Sequence, residues 1–443
     1  MNTRRTFLVS SAAAAVQPPA RKPNVLVILA DDLGSADLGY SGCRDIPTPN
    51  LDRLRGQGVR FANSYVSHPF CSPTRAGLLT GRYQQRFGHE NNPQYGVGEG
   101  LPLSETLLPA LLKPAGYTSA LIGKWHLGDA SHFHPNARGF DEFYGFLGGG
   151  HQYFPLEPPR IDAAKEYFVP LTRNREPVPQ LEYMTQDLSR EAAKFIARRR
   201  RDPFFLYLAY NAPHTPMQAP PEYLARFASI SNERRRHYAA MVSALDDGVG
   251  AVLKSLQENG LDNDTLVFFL SDNGGPAQAN SSSNLPLRNG KGSLYEGGIR
   301  TPMTARWTGR IKPGATFDAP VSSLDIAATT LALAGAPPAK DRPLDGVDLL
   351  PFLTGARSGS PHERLFWRTG GGTHHALREA NWKLVLHQDS EPELYDLAQD
   401  PAEKNDIALS NLPRVRELRA RLQEWNSQLA KPAWQGLSAI RKP

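Results

Sequence analysis

The sequence predicts an α/β protein: a large, mostly parallel mixed sheet sandwiched by helices, followed by a smaller C-terminal subdomain of antiparallel sheet plus helix. Short apolar runs alternate with helical patterns along most of the chain, which is typical of a parallel sheet covered on both faces. This pattern changes after about residue 355. The chain has 443 residues, 40% of them hydrophobic, which is enough for a large core and excludes a wholly disordered protein.

Four apolar runs rich in Val, Ile, Leu or Phe predict the central strands of the sheet. Each run is too short for a helix and has the continuous hydrophobicity of a strand that is buried on both faces. The runs are Val25–Ala30, Thr118–Ile122, Phe204–Ala209 and Thr265–Leu270.

Helices are expected between these strands. Apolar residues spaced four and three apart from Tyr238 to Leu256 trace one helix face, and Gly260 ends this helix. We expect two further helices at about 104–116 and 181–200.

A stretch rich in Gly, Ser and Pro after residue 355 is typical of a linker. We therefore expect a main domain over 21–355 and a C-terminal subdomain over 356–443. In the subdomain, short antiparallel strands are predicted at Arg364–Trp367, Ala376–Arg378 and Trp382–Leu386. An amphipathic helix is predicted from about 411 to 429.

Residues 1–20 predict a cleaved export signal rather than part of the fold. Arg4 and Arg5 precede a soft apolar run, and Ala13–Ala15 offers a small-residue cleavage site. The paired arginines favour a twin-arginine signal, and an ordinary Sec signal is the alternative. The mature protein is therefore expected in the periplasm or outside the cell.

Charge and composition exclude several other classes of protein. No run of 18 apolar residues predicts a membrane span, and two cysteines are too few for a disulfide framework or a Cys-rich zinc site. Lys and Arg number 50 against 44 Asp and Glu, without a basic face interleaved with aromatic residues, so nucleic-acid binding is not predicted. The modest positive charge suits a polyanionic substrate.

Polar side chains follow each of the four predicted strands. They are Asp31 and Asp32, then Lys124 and His126, then His214, then Asp272 and Asn273. Each of these short segments is also a plausible loop or turn, but ligands of open α/β sheets bind beyond the carboxyl ends of the strands. The carboxylate and amide oxygens suit a hard cation, calcium or magnesium, better than zinc.

The most informative segment is 71–81, Cys-Ser-Pro-Thr-Arg-Ala-Gly-Leu-Leu-Thr-Gly. It matches the Cys-x-Pro-Ser/Thr-Arg and Leu-x-Thr-Gly signature of the formylglycine-dependent (type I) sulfatases, in the alkaline-phosphatase-like superfamily. Residues 123–128, Gly-Lys-Trp-His-Leu-Gly, match the second signature of that family. Other segments that resemble the family follow in its order, at 30–32, 212–214, 271–274, 290–292 and 393–397.

The resemblance implies two cofactors. Cys71 would be oxidised to formylglycine by a formylglycine-generating or sulfatase-maturing enzyme. Ca²⁺ would then be held by residue 71 together with four oxygen ligands: Asp31, Asp32, Asp272 and Asn273. A plain cysteine is a poor partner for such a site, because a soft thiolate does not suit a hard cation.

The resemblance also implies catalytic roles. Arg75 and Lys124 would hold the nucleophile, and Lys291 with Lys124 would neutralise the sulfate oxygens. His214 would protonate the departing alcohol, and His126 would take the proton of the remaining hydroxyl so that sulfate leaves. His151 follows three glycines and precedes two aromatic residues; it would contact sulfate or sugar, or be a solvated loop residue.

These inferences predict a calcium-dependent sulfuric ester hydrolase, with its catalytic domain at 21–355, that acts on a sulfated carbohydrate. Two alternatives remain open at this point. One is a phosphodiesterase or phosphonate monoester hydrolase of the same superfamily. The other is a non-catalytic binder of sulfated glycans, in which Cys71 is not modified.

Overall fold

The protein is described here by a computed structural model, which covers residues 22–157, 160–162 and 164–435. The expected export signal at 1–20 lies outside these residues. The strands of the described chain are β1 Asn24–Ala30, β2 Val59–Phe61, β3 Ser64–Tyr65, β4 Thr118–Lys124, β5 Glu142–Phe146, β6 Leu171–Arg173, β7 Glu176–Val178, β8 Phe204–Ala209, β9 Thr265–Ser271, β10 Met303–Arg306, β11 Ala315–Phe317, β12 Val321–Ser322, β13 Arg364–Thr369, β14 His374–Glu379, β15 Trp382–Leu386 and β16 Glu393–Asp396. The helices are α1 Pro49–Gly56, α2 Cys71–Thr80, α3 Leu108–Leu112, α4 Met184–Arg198, α5 Pro221–Arg226, α6 Glu233–Glu258, α7 Ala277–Asn280, α8 Glu296–Ile299, α9 Asp325–Ala334, α10 Leu350–Leu353 and α11 Leu412–Asn426.

The main sheet of the described chain has ten strands in the order β11-β2-β10-β9-β1-β8-β4-β5-β6-β7. Its five central strands, β9 to β5, are mutually parallel, while β10, β6 and β7 add antiparallel pairings on either side. The four strands predicted from apolar runs all lie in this central parallel part. The predicted fold class is therefore confirmed.

The core has two layers, one on each face of the main sheet. Leu26 and Ile28 of β1 pack with the apolar faces of α4 and α6. Val25 and Val27 belong to the opposite layer, which contains residues of α2, α3 and α9. Successive side chains of a strand point to opposite faces, so a continuously apolar strand fills both layers.

The helix expected at 104–116 is much shorter in the structure. The α-helical part, α3, covers only Leu108–Leu112, and a short 3₁₀ turn follows at Lys113–Ala115. Two prolines explain the difference. Pro109 is accommodated in the first turn of α3, and Pro114 cannot donate a hydrogen bond to continue the α-helix.

A four-stranded antiparallel sheet, β13-β14-β15-β16, forms the small C-terminal unit of the described chain. Leu418, Leu422 and Trp425 of α11 pack on apolar residues of this sheet. Three of the four strands were predicted. The fourth, β16, has the sequence Glu-Leu-Tyr-Asp, which is too short and too polar for its hydrophobic pattern alone to indicate a strand. The domain boundary at 355 stays a prediction.

A buried histidine joins the segment before β13 to α9. Nε2 of His362 lies 2.8 Å from Oδ1 of Asp325, and both side chains are largely buried. Burial alone would lower the pKa of His362, but the Asp325 carboxylate raises this pKa above its usual value of 6.5. Because the folded-state pKa is the higher one, the pair stabilises the protein fully below pH 6.5, and this stabilisation is lost as the pH rises through the folded-state pKa.

We expect His362→Gln to reduce the free energy of unfolding by about 1–2 kcal/mol at mildly acidic pH, and by less as the pH rises above neutrality. Urea unfolding of both proteins across this pH range measures the difference. His132→Gln, which changes an exposed histidine, serves as the control. A difference that grows with pH would contradict the assignment.

Among the described residues, no helix combines the length and the apolar character that crossing a bilayer requires.

Candidate active site

The polar residues that follow the central strands meet at one edge of the main sheet. Asp31 and Asp32 follow β1, and Lys124 is the last residue of β4. Asp272 and Asn273 follow β9, which pairs with β1 in parallel register. Adjacent parallel strands end side by side, so their polar termini form a single site.

Cys71 is the first residue of α2, and its side chain is buried beneath this edge. Its Sγ lies 3.5 Å from Oδ1 of Asp31 and 3.1 Å from Nζ of Lys291. Possible ligand atoms of Asp31, Asp32, Cys71 and His214 all lie within 4.8 Å of one another. The helix therefore brings residue 71 into contact with both acidic and basic side chains.

Arg75 lies one helical turn after Cys71 and holds the surrounding carboxylates in place. Its guanidinium is fully buried, 2.7 Å from Asp272 and 3.4 Å from Asp31, and it also donates a hydrogen bond to the Lys124 carbonyl at 3.2 Å. Burial would lower the pKa of Arg75, but Asp272 and Asp31 raise it above its usual value. Arg75 is therefore a permanent buried cation between two strand ends.

Asp31 is ionised despite its complete burial. Its carboxylate bonds to the Lys124 ammonium and lies near the Arg75 guanidinium. Burial alone would raise the pKa of Asp31, but Lys124, His214 and Arg75 hold the pKa below its usual range.

Asp32 is the centre of a second group of contacts. Its Oδ1 accepts hydrogen bonds from Lys291 Nζ at 2.6 Å and Asn273 Nδ2 at 2.7 Å, and its Oδ2 lies 3.6 Å from Nε2 of His214. Burial raises the pKa of Asp32, but Lys291 and His214 outweigh burial and lower it. Asn273 Oδ1, in contrast, is buried and has no hydrogen-bond partner within the described residues.

The two histidines on this edge differ in their hydrogen bonding. His126 Nδ1 is buried and has no partner in the described chain. Burial, with the charges of Lys124 and Arg75, lowers the pKa of His126 well below its usual value, so its ring is neutral. His214 Nδ1 lies 2.7 Å from the Thr215 carbonyl, which fixes the orientation of the ring.

His151 lies apart from these contacts. Its side chain is buried, with Nδ1 at 2.7 Å from the Gln152 carbonyl and Nε2 at 2.8 Å from the Val169 carbonyl. Both ring nitrogens are thus occupied by backbone groups. A contact between His151 and a substrate stays a prediction, and the proposals below do not depend on it.

The sequence did not indicate a cavity that adjoins His126. Tyr95, Asp129 and Glu166 are among the residues that line it. These three residues come from separate loops and belong to no motif or periodic pattern. The one feature of the sequence that relates to this cavity was the run of three glycines at 148–150, which lies against the cavity lining.

The donor set of the site fits a calcium ion. Three carboxylates and one amide oxygen are buried together, and hard oxygen ligands are those that Ca²⁺ prefers. Asn273 Oδ1 is a buried acceptor to which no described residue donates a hydrogen bond, as expected for a metal ligand.

Comparison with protein families identifies the chain. A family model described as Sulfatase matches residues 23–336. The chain belongs to the sulfatase family. A second model, N-sulphoglucosamine sulphohydrolase, C-terminal, matches residues 289–431 of this sulfatase. The sulfatase family and the enzyme class, sulfuric ester hydrolase, that were predicted from the sequence are thereby confirmed.

Several named proteins are similar to this sulfatase over most of its length. The mouse N-acetylgalactosamine-6-sulfatase is 40% identical, and the match covers 85% of this chain and 73% of that protein. The human steryl-sulfatase is 32% identical, and the match covers 91% of this chain and 87% of that protein. The crystal structure of Ps i-CgsB in complex with k-i-k-neocarrahexaose has a TM-score of 0.89 and 40% identity, covering 95% of this chain and 96% of that one.

A phosphonate monoester hydrolase of Agrobacterium radiobacter shares the fold, with a TM-score of 0.68. It is 22% identical, and the match covers 92% of this chain and 95% of that one. At this identity the similarity shows a common architecture and carries no statement about the reaction.

Proposed function

We propose that this sulfatase removes sulfate from a sulfated carbohydrate, with residue 71 as a formylglycine nucleophile and Ca²⁺ as the metal. The observation that carries the proposal is the buried contact of residue 71 with Asp31 on one side and Lys291 on the other. Asp31, Asp32, Asp272, Asn273 and residue 71 would hold the ion. Formylglycine supplies a geminal diol at residue 71, and Ca²⁺ supplies positive charge beside the sulfate oxygens.

Two lysines would bind and orient the sulfate group, and an arginine would position the nucleophile. Lys291 Nζ already lies 3.1 Å from the side-chain atom of residue 71, where the bond to sulfur would form. Lys124 and Lys291 would share the negative charge of the sulfate oxygens in a site shielded from water. Arg75, which forms an ion pair with Asp272, would keep the nucleophile and the polar strand ends in fixed relative positions.

Two histidines would transfer the protons. His214, oriented by the Thr215 carbonyl, would give a proton to the alcohol oxygen as its bond to sulfur breaks. His126 has a free, buried Nδ1 and a neutral ring, and it would accept the proton of the second hydroxyl at residue 71. Loss of that proton restores the aldehyde and releases inorganic sulfate.

Similarity supports a carbohydrate as the substrate. One relative is named for a sulfated N-acetylgalactosamine, and the structure of another was determined with a carrageenan-type oligosaccharide. The modest positive charge of the chain agrees with a polyanionic substrate. A maturing enzyme that oxidises Cys71 is the partner that this chemistry requires.

We also propose that the protein is exported to the periplasm or secreted. The support is the Arg4-Arg5 pair, the apolar run and the alanines of the first 20 residues.

We expect the matured, calcium-loaded protein to hydrolyse an aryl sulfate at least about 100-fold faster than an aryl phosphate diester, in kcat/KM. A diester carries a second organic group on its central atom. The side chains that surround residue 71 are closely packed and charged, and they suit bare anionic oxygens better than this group. Rates on 4-nitrophenyl sulfate and bis(4-nitrophenyl) phosphate measure the ratio.

A Cys71→Ala preparation, purified in the same way, gives the background from contaminating enzymes. Faster turnover of the diester would assign the protein to the phosphodiesterase and phosphonate hydrolase class. Absence of turnover together with an unmodified Cys71, shown by peptide mass, would instead support a glycan-binding protein.

A further inference from the structure

The cavity beside His126 has an acidic wall. Asp129 and Glu166 line it together with Tyr95, and His126 forms its boundary with the catalytic site. Burial raises the pKa of Tyr95, and the charges of Asp129 and Glu166 raise it further, so both carboxylates lie near this hydroxyl. Two negatively charged side chains therefore lie beside a catalytic site whose other charges attract an anion.

The position of Glu166 is fixed relative to His126. Glu166 Oε1 accepts a hydrogen bond from the Gly149 backbone N–H. A Cβ at Gly149 would lie 2.6 Å from His126 Nε2 and 3.1 Å from Glu166 Oε1, so the two side chains flank one backbone position. A substrate group in contact with His126 Nε2 would therefore lie close to the Glu166 carboxylate.

The two carboxylates of this wall have no ion-pair partner among the described residues. No described Lys, Arg or His side chain lies within 4.0 Å of Asp129 or Glu166 as an ion pair. Their described hydrogen bonds come from backbone N–H groups, Gly96 to Asp129 at 2.6 Å and Gly149 to Glu166. Each carboxylate has two oxygens, and further lone pairs remain available to a ligand.

We infer that this wall selects a sugar that is uncharged next to its sulfate ester. Ionised carboxylates accept hydrogen bonds from sugar hydroxyls and repel a second sulfate or carboxylate on that side. The inference rests on the proposed sulfated-carbohydrate substrate and defines it further. Asp129 and Glu166 are then specificity residues rather than catalytic ones.

The test measures how mono- and disulfated sugars interact with two proteins. One is the unchanged protein, and the other is an Asp129→Asn/Glu166→Gln double variant. Both replacements keep one acceptor oxygen for the backbone N–H groups and remove the charge, while the other oxygen becomes an NH₂ donor of similar size. The probes are galactose 4-sulfate, galactose 6-sulfate and the galactose disulfates that contain either group. Calorimetric binding to Cys71→Ala protein in calcium measures affinity without turnover, and kcat/KM of the matured enzyme measures selectivity.

We expect at least one disulfate to bind about tenfold more weakly than its parent monosulfate, and the double variant to remove most of this deficit. Glu258→Gln, which removes a charge at the exposed end of α6, should leave the ratios unchanged. The inference is overturned if the double variant leaves every ratio unchanged, or if no monosulfate binds. Failure of the proposed function is a separate result, namely absence of sulfate release from every probe by the matured enzyme.

Discussion

Cys71→Ala protein is expected to lose turnover of sulfate esters by about 10⁴-fold or more while keeping its fold. The loss follows because alanine can form neither the aldehyde nor its hydrate, so the nucleophile is absent. The fold should persist because the side chain is small and its contacts are with Asp31 and Lys291 rather than with an apolar layer. Steady-state rates and a thermal unfolding curve measure the two effects.

Peptide mass decides whether residue 71 carries the proposed modification. The aldehyde form of the tryptic peptide is lighter than the cysteine form, and the difference exceeds the single hydrogen per cysteine that a disulfide removes. Cys71→Ser should accumulate a sulfated serine, because serine lacks the second hydroxyl that releases sulfate. Cys43→Ala is the matched control: this half-exposed cysteine lies near Asp45 and Arg235 and outside the signature, so activity should remain. Full activity of unmodified Cys71 protein would refute the mechanism.

Much of the site could be predicted because its residues follow recognisable strands. Asp31, Lys124 and Asp272 each lie at the end of a continuously apolar run, and parallel strands bring such positions together. Arg75 was predicted from its place in the sulfatase signature, and the structure places it four residues after Cys71 on the same face of α2.

Other features could not be predicted because they depend on contacts between distant segments. The wall formed by Asp129 and Glu166 joins two loops with no common pattern. Strand β16 is defined by its pairing with β15 rather than by its own four residues. The shortening of helix α3 could have been predicted from the sequence, because Pro109 and Pro114 both limit an α-helix in this segment.

Ion pairs hold together the residues of the proposed calcium site, and a bound cation would change the balance of their charges. Asp31 and Asp32 each bond to a lysine ammonium, Lys124 and Lys291 respectively. Asn273 bonds to Asp32 through Nδ2, which leaves its buried Oδ1 without a partner in the described chain. Asn273 is therefore the ligand that can be tested with the least disturbance, since its removal leaves no buried carboxylate or guanidinium unpaired.

Removal of calcium by a chelator is expected to reduce turnover by at least about 10³-fold, because the positive charge beside the substrate is lost. It should also lower the melting temperature, because an ion that binds only the folded state stabilises it by an amount that grows with the ratio of its concentration to its dissociation constant. With Asn273→Ala, the calcium concentration needed for a given rise in melting temperature should increase about tenfold or more, as expected for the loss of one buried ligand. Calcium titrations followed by thermal unfolding and by sulfate release measure both effects. Asn259→Ala, at the exposed end of α6, should behave as the wild-type protein. Full activity of a sample shown by elemental analysis to contain no metal would exclude a role for the ion, whereas a stability response without an activity response would limit calcium to a structural role.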